Sequence, residues 1–112
     1  MHPTHPVNPL IHFVTETQFA DAVIELAQYN GWRVVHFRPA RTDKGWRTAM
    51  TGDRGFPDLV LARDGVVLIV ELKTQDGRMG VGQAEWGTAL GDCYRLWRPS
   101  DLNTIRDELR RY

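Results

Sequence analysis

Three charged residues, Asp58, Glu71 and Lys73, stand at spacings that suit metal-assisted chemistry. Asp58 opens an apolar stretch that runs to Arg63, Glu71 follows another that begins at Val66, and Asp64-Gly65 lies between them. An Asp-Gly pair between two apolar runs is the strongest short-range signal for a two-residue β-hairpin. With Asp64 and Gly65 as the loop, Arg63 faces Val66, and the register carried along both strands sets Asp58 opposite Glu71. Opposed residues share a face of the sheet, with Cβ atoms about 4.5–5.5 Å apart. Lys73 joins them on that face through the two-residue period of a strand. Two opposed carboxylates repel, so either one holds a proton or a cation sits between them. Carboxylate oxygens are the hard ligands that Mg²⁺ prefers, typically one or two of them with water completing the shell. Such an ion polarises a phosphoryl oxygen and helps generate hydroxide. Lys73 is placed to orient or deprotonate the attacking water, or to stabilise charge at the phosphorus. The plain alternative is a turn aspartate beside an exposed Glu–Lys ion pair. Glu71 follows five apolar residues, Val66 to Val70, and a charge at the end of a strand that reads as buried is unusual, which favours the site.

Other elements must hold that hairpin. Residues 1–13, with three prolines and three histidines, read as an extended arm before a single domain over 14–112. Thr15 with Gln18 forms a capping box, Val14 and Phe19 occupy staple positions, and Phe19, Val23, Leu26 and Ala27 make the apolar stripe of a first helix that stops at Gly31. Trp32 to Arg38 reads as a strand. The segment from Pro39 to Phe56 reads as a long irregular loop carrying Arg41, Lys44, Arg47 and Arg54; loops of that length are usually functional or mobile. Strands over 57–63 and 66–73 follow, then a polar turn, a helix over Val81–Leu90, a strand over Cys93–Arg98 and a last helix that buries Leu102, Ile105 and Leu109. The expected order is α-β-β-β-α-β-α. The hairpin supplies an antiparallel pair and the crossover through the second helix a parallel one, so the four-stranded sheet is mixed and flanked by helices.

Composition excludes several classes. The 112 residues fit one domain, and 42% hydrophobic with 25% charged residues is ordinary for a globular chain. No apolar run approaches a membrane span, and no basic-then-apolar leader opens the chain. One cysteine, Cys93, rules out an internal disulfide and any cysteine-based zinc site, so an intracellular, reduced protein is expected. Fourteen basic residues balance fourteen acidic ones, so any nucleic-acid binding must come from local patches.

Gly55-Phe56-Pro57-Asp58, followed after twelve positions by Glu71-Leu72-Lys73, resembles the PD-(D/E)xK nuclease superfamily, and within it the VRR-Nuc family of virus-type replication and repair nucleases. Glu16, Gly52, Gly77 and Gln83 extend the likeness, which covers residues 15 to about 105. It implies a restriction-endonuclease-like α/β fold and a metal-dependent endodeoxyribonuclease. By the same likeness Asp58, Glu71 and the Leu72 carbonyl hold Mg²⁺, with Mn²⁺ able to substitute, and Lys73 serves the water. Glu16 approaches the metal from the first helix, although a glutamate in a first helical turn is also favoured by the helix dipole alone. Gln83 shares a helical face with Trp86, Gly87 and Leu90 and points at the sheet, where it serves either the active-site edge or the helix cap. Where the family often starts this helix with Ser, the chain has Gly80, a slightly weaker cap.

No separate sequence-reading module is visible, which favours selectivity for DNA shape, as in branched DNA such as four-way Holliday junctions or flaps met in replication, recombination and repair. The resemblance further implies a homodimer. Arg41, Lys44, Trp46, Arg47 and Arg54 are candidate DNA contacts, with a solvated basic loop as the alternative, and Trp32, Trp46, Trp86 and Trp97 are candidates for an interface or for base stacking. A restriction-type or nicking endonuclease with sequence preference, and a non-catalytic nucleic-acid-binding module, are the rival functions.

Overall fold

The computed structural model describes residues 8–38, 40–43, 45–47 and 50–111, with the side chains of 40–42, 46 and 47 excepted. It contains α1 (Glu16–Tyr29), β1 (Arg33–His36), β2 (Ala40–Thr42), β3 (Gly45–Arg47), β4 (Leu59–Arg63), β5 (Val66–Leu72), α2 (Val81–Leu90), β6 (Tyr94–Trp97) and α3 (Leu102–Arg111). Apart from the small β2–β3 hairpin, this is the expected order. The main sheet runs β1-β4-β5-β6, with β1–β4 and β4–β5 antiparallel and β5–β6 parallel, so it is a mixed four-stranded sheet flanked by helices.

Local chemistry sets the ends of these elements. Both bonds of the capping box are present, Gln18 N–H to Thr15 Oγ1 at 3.1 Å and Thr15 N–H to Gln18 Oε1 at 2.9 Å. The β4–β5 loop needs left-handed backbone at both positions, and Asp64 (φ 50) and Gly65 (φ 82) adopt it. The resulting register pairs Arg63 with Val66 and Leu59 with Val70.

Alternation along the strands separates two faces. Leu59, Leu61, Leu68, Val70 and Leu72 are almost fully buried on the face that meets Phe19, Ala20, Val23 and Ala27 of α1 and Ile105 and Leu109 of α3. Each leucine buried in this way contributes about 1.5–3 kcal/mol. The opposite face is covered in part by α2 and leaves Val35 and Val67 nearly half exposed.

Four local expectations change. The segment 39–56 is not wholly irregular, because Ala40–Arg47 contains an antiparallel pair with Thr42 opposite Gly45, whose φ of 98 suits glycine alone. Part of the expected arm, residues 1–7, lies outside the described residues; Pro9–Phe13 form a 3₁₀ turn, capped by Asn8 Oδ1 accepting from Leu10 N–H at 2.9 Å. Leu102 is not buried, since it begins α3 at the surface and is 39% exposed. Trp32 and Trp97 are core residues rather than interface or stacking surfaces; the Trp32 indole donates to the Leu109 carbonyl at 2.9 Å, tying the start of β1 to α3. No helix among the described residues is long and apolar enough to cross a membrane.

Candidate active site

Asp58 lies one residue before β4, and the register beyond Leu59↔Val70 sets it opposite Glu71. The same extension on the other side, beyond His36↔Leu59, sets it opposite Phe37, whose N–H donates to the Asp58 carbonyl at 2.8 Å. Phe37, Asp58 and Glu71 thus form a row across three strands on one face of the sheet. The Asp58 carboxylate is pinned, because its Oδ2 accepts from Leu72 N–H at 2.7 Å. A strand residue carries its N–H and C=O on the same edge, so the Leu72 carbonyl leaves β5 on the side of Asp58.

Glu71 is only 2% exposed, at the end of a strand whose neighbours are apolar. Two side chains meet its Oε1, the Lys73 ammonium at 3.8 Å and the Gln83 amide at 3.1 Å. Burial pushes the Glu71 carboxyl up to about 8; Asp58 adds to the rise by charge and by a hydrogen bond, Glu16 raises it further, and Lys73 works against it. A buried carboxylic acid beside a second carboxyl, with an oxygen-only donor set nearby, fits a hard divalent cation, which would offset both the burial and the repulsion that raise it.

Gln83 performs both of the roles that its sequence position leaves open. Its Oε1 accepts from Gly80 N–H at 2.7 Å, which caps α2, and this fixes the amide so that Nε2 must face Glu71. Close backbone packing makes that reach possible. A Cβ on Gly55, at φ 90, would stand 2.6 Å from the Gly82 carbonyl carbon and 2.7 Å from Gln83 N. Gly55→Ala is therefore expected to destabilise the fold by at least about 1–3 kcal/mol, read as a lowered urea midpoint at constant slope. An unchanged midpoint would show that the loop and α2 do not need this contact. Gly87 plays a similar part, since a Cβ there would meet the Tyr94 ring at 2.8 Å.

The expected residues do not all converge. Asp58, Glu71, Lys73 and Gln83 come together with the Leu72 backbone. Glu16, the first residue of α1, lines a cleft of about 280 Å³ that also touches Asp58, and it acts on Glu71 through its charge. Among the described residues no three of His, Cys, Asp and Glu form a ready-made metal cluster. Arg54 is exposed beside Gly82 and Trp86 of α2. Arg41, Trp46 and Arg47 lie on β2 and β3, where only the backbone is described, and Lys44 lies outside the described residues.

Besides Phe37 of the row, the sequence reading misses three residues. Tyr94 has a buried hydroxyl with no hydrogen-bond partner among the described residues, and burial, then Glu71 and Asp58, push its phenol up. It is placed by the parallel pairing of Ile69 with Tyr94, which no local sequence signal reveals. His36 and Arg38 line the cleft at Asp58; the signal for them was the end of β1, whose pairing with β4 had to be known first. Beyond the cleft, Arg98 shapes the turn after Lys73, donating to the carbonyls of Thr74 at 2.8 Å and Gly77 at 2.6 Å.

Comparison of the sequence with models of protein families gives no match, and comparison with curated proteins gives none either.

Proposed function

We propose that the chain is a Mg²⁺-dependent, structure-selective DNA endonuclease of the PD-(D/E)xK type, similar in its motifs to the VRR-Nuc family, with a restriction-endonuclease-like topology. The observation that carries this is the Asp58–Glu71 pair at the end of the β4–β5 hairpin, with a buried Glu71 carboxyl and Lys73 beside it. Nothing in a plain structural role requires a second carboxyl and a lysine beside a buried glutamate, where an uncompensated charge is costly. A mixed four-stranded sheet flanked by helices, with the pair at the end of its antiparallel hairpin and a parallel crossover behind it, supports the α/β part of this reading.

Asp58 and Glu71 would hold the ion, with the Leu72 carbonyl on the same edge of the strand. When bound, Mg²⁺ would supply Lewis-acid activation of the phosphodiester and a more acidic water. Lys73, next to Glu71, orients the attacking water and holds or removes its proton. Gln83 fixes Glu71, and the Leu72 N–H fixes Asp58, so neither carboxylate has to be ordered when substrate arrives. Mn²⁺ is expected to substitute for Mg²⁺, and two chains acting as a homodimer would cut two strands of a four-way Holliday junction, a task in recombination and repair.

Incubation with linear, flapped, splayed and four-way DNA in Mg²⁺ and in EDTA tests the proposal. Cleavage confined to Mg²⁺, at positions that follow the branch, is expected. Fragments that follow one sequence irrespective of branching would indicate a restriction-type enzyme, and no cleavage of any DNA would overturn the nuclease reading.

A further inference from the structure

The row across the sheet continues past the carboxylates to an aromatic ring. Phe37 stands opposite Asp58 in the β1–β4 register and is 42% exposed, whereas Glu71 at the other end of the row is almost fully buried. Its ring meets Phe56 in a T-shaped contact at 5.7 Å and 82°, and Phe56 meets Trp86 of α2 in another at 4.9 Å and 84°. One T-shaped contact occupies at most one face of a ring, so Phe37 keeps a face without an aromatic partner among the described residues. Phe56 and Trp86 hold it in place, and a ring ordered beforehand loses little entropy when it binds. Its chain neighbours are both basic: His36 and Arg38 line the cleft at Asp58.

We propose that Phe37 is the stacking platform for an unpaired DNA base next to the scissile phosphate, with Arg38 contacting a phosphate of the same strand. This rests on the nuclease reading and deepens it by naming the substrate class. A base can give its π face to a protein ring only when it is not stacked within a duplex, and stacking of this kind is tolerant of sequence. The cleft carries Glu16, Asp21 and Asp58, which repel a phosphate, and the exposed Arg38 guanidinium is a permanent cation on its lining that can offset them. The natural substrate is therefore DNA with single-stranded character at the cut: a flap, a splayed arm or an opened junction rather than continuous duplex.

The test is anisotropy titration of a fluorescent single-stranded oligonucleotide and of a blunt duplex of equal length, with Ca²⁺ in place of Mg²⁺. Phe37→Ala is expected to weaken single-strand binding by roughly 5- to 100-fold, Phe37→Trp to restore it and Phe37→Leu to fail to, with duplex binding changed by less than about twofold. Arg38→Ala is expected to flatten the salt dependence of single-strand binding. If Phe37→Ala does not fold, the comparison of Phe37→Leu with Phe37→Trp decides. Equal losses on both DNAs, a leucine variant that binds as well as the tryptophan one, or no single-strand binding by the unaltered protein would each overturn the assignment. The nuclease reading fails separately, if Mg²⁺ produces no cleavage while Phe37-dependent binding persists.

Discussion

In buffer free of divalent cations, the protein is expected to lose stability as pH rises from about 5 to about 8, and to recover it when Mg²⁺ is added. Glu71 ordinarily titrates near 4.5, and in the folded chain it keeps its proton to about 8. Between those values the folded state binds the proton and the unfolded state does not, so each step up in pH favours unfolding. The full benefit of the protonated carboxyl is present below the unfolded value and is gone once pH passes the folded one. One unit of such a shift corresponds to about 1.4 kcal/mol, so the total is on the order of a few kcal/mol. In a domain of this size that is a fall in Tm on the order of 10 °C. Bound Mg²⁺ reverses the trend in two ways, by neutralising the carboxylate pair and by binding only the folded state. Melting curves at pH 5, 6.5 and 8, with EDTA or with Mg²⁺, provide the check. A Tm that is flat with pH in EDTA would show that Glu71 is not held protonated by its surroundings.

Asp58→Asn is expected to move stability and activity in opposite directions. The asparagine keeps an oxygen to accept from Leu72 N–H, whose bond to Asp58 is 2.7 Å long, so the loop before β4 should stay in place. It removes the charge that adds to the effect of burial on Glu71, so in EDTA at pH 8 the variant should melt above the unaltered protein. The same change replaces an anionic metal ligand with a neutral amide. If that ligation contributes about 4 kcal/mol to the transition state, cleavage falls about 10³-fold. A residue kept at a net cost to the metal-free fold is the pattern expected of a functional group rather than a structural one. A variant that is both less stable and fully active would reverse this assignment.

The hairpin was legible because its determinants are local. Asp64-Gly65 dictates a two-residue turn, and that turn alone sets the register toward Asp58 and Glu71. The α1 cap was legible for the same reason, since Thr15 and Gln18 lie three residues apart and satisfy each other. What escaped depends on contacts between distant segments. Tyr94 reaches the site through parallel pairing, and Phe37 joins the row only once β1 is known to pair with β4. The short β2–β3 pair leaves no signal in the sequence, because strands of three residues give too little alternation to separate them from loop. Helical spacing alone shows which face of α2 carries Gln83, but its double role follows from the approach of Gly55 to Gly82, a tertiary contact.

Single-turnover cleavage of a flapped or splayed DNA, measured across Mg²⁺ concentrations, tests the metal role of the carboxylate pair most directly. The unaltered protein should be inactive in EDTA and should saturate with Mg²⁺. Asp58→Asn should lose both the rate and the saturation. Lys73→Ala should saturate over the same Mg²⁺ range with a rate lower by about 10²-fold or more, as for a lost proton-transfer group. Cleavage that persists in EDTA, or variants at both positions that cut at the unaltered rate, would contradict the assignment of Asp58, Glu71 and Lys73 as the catalytic centre.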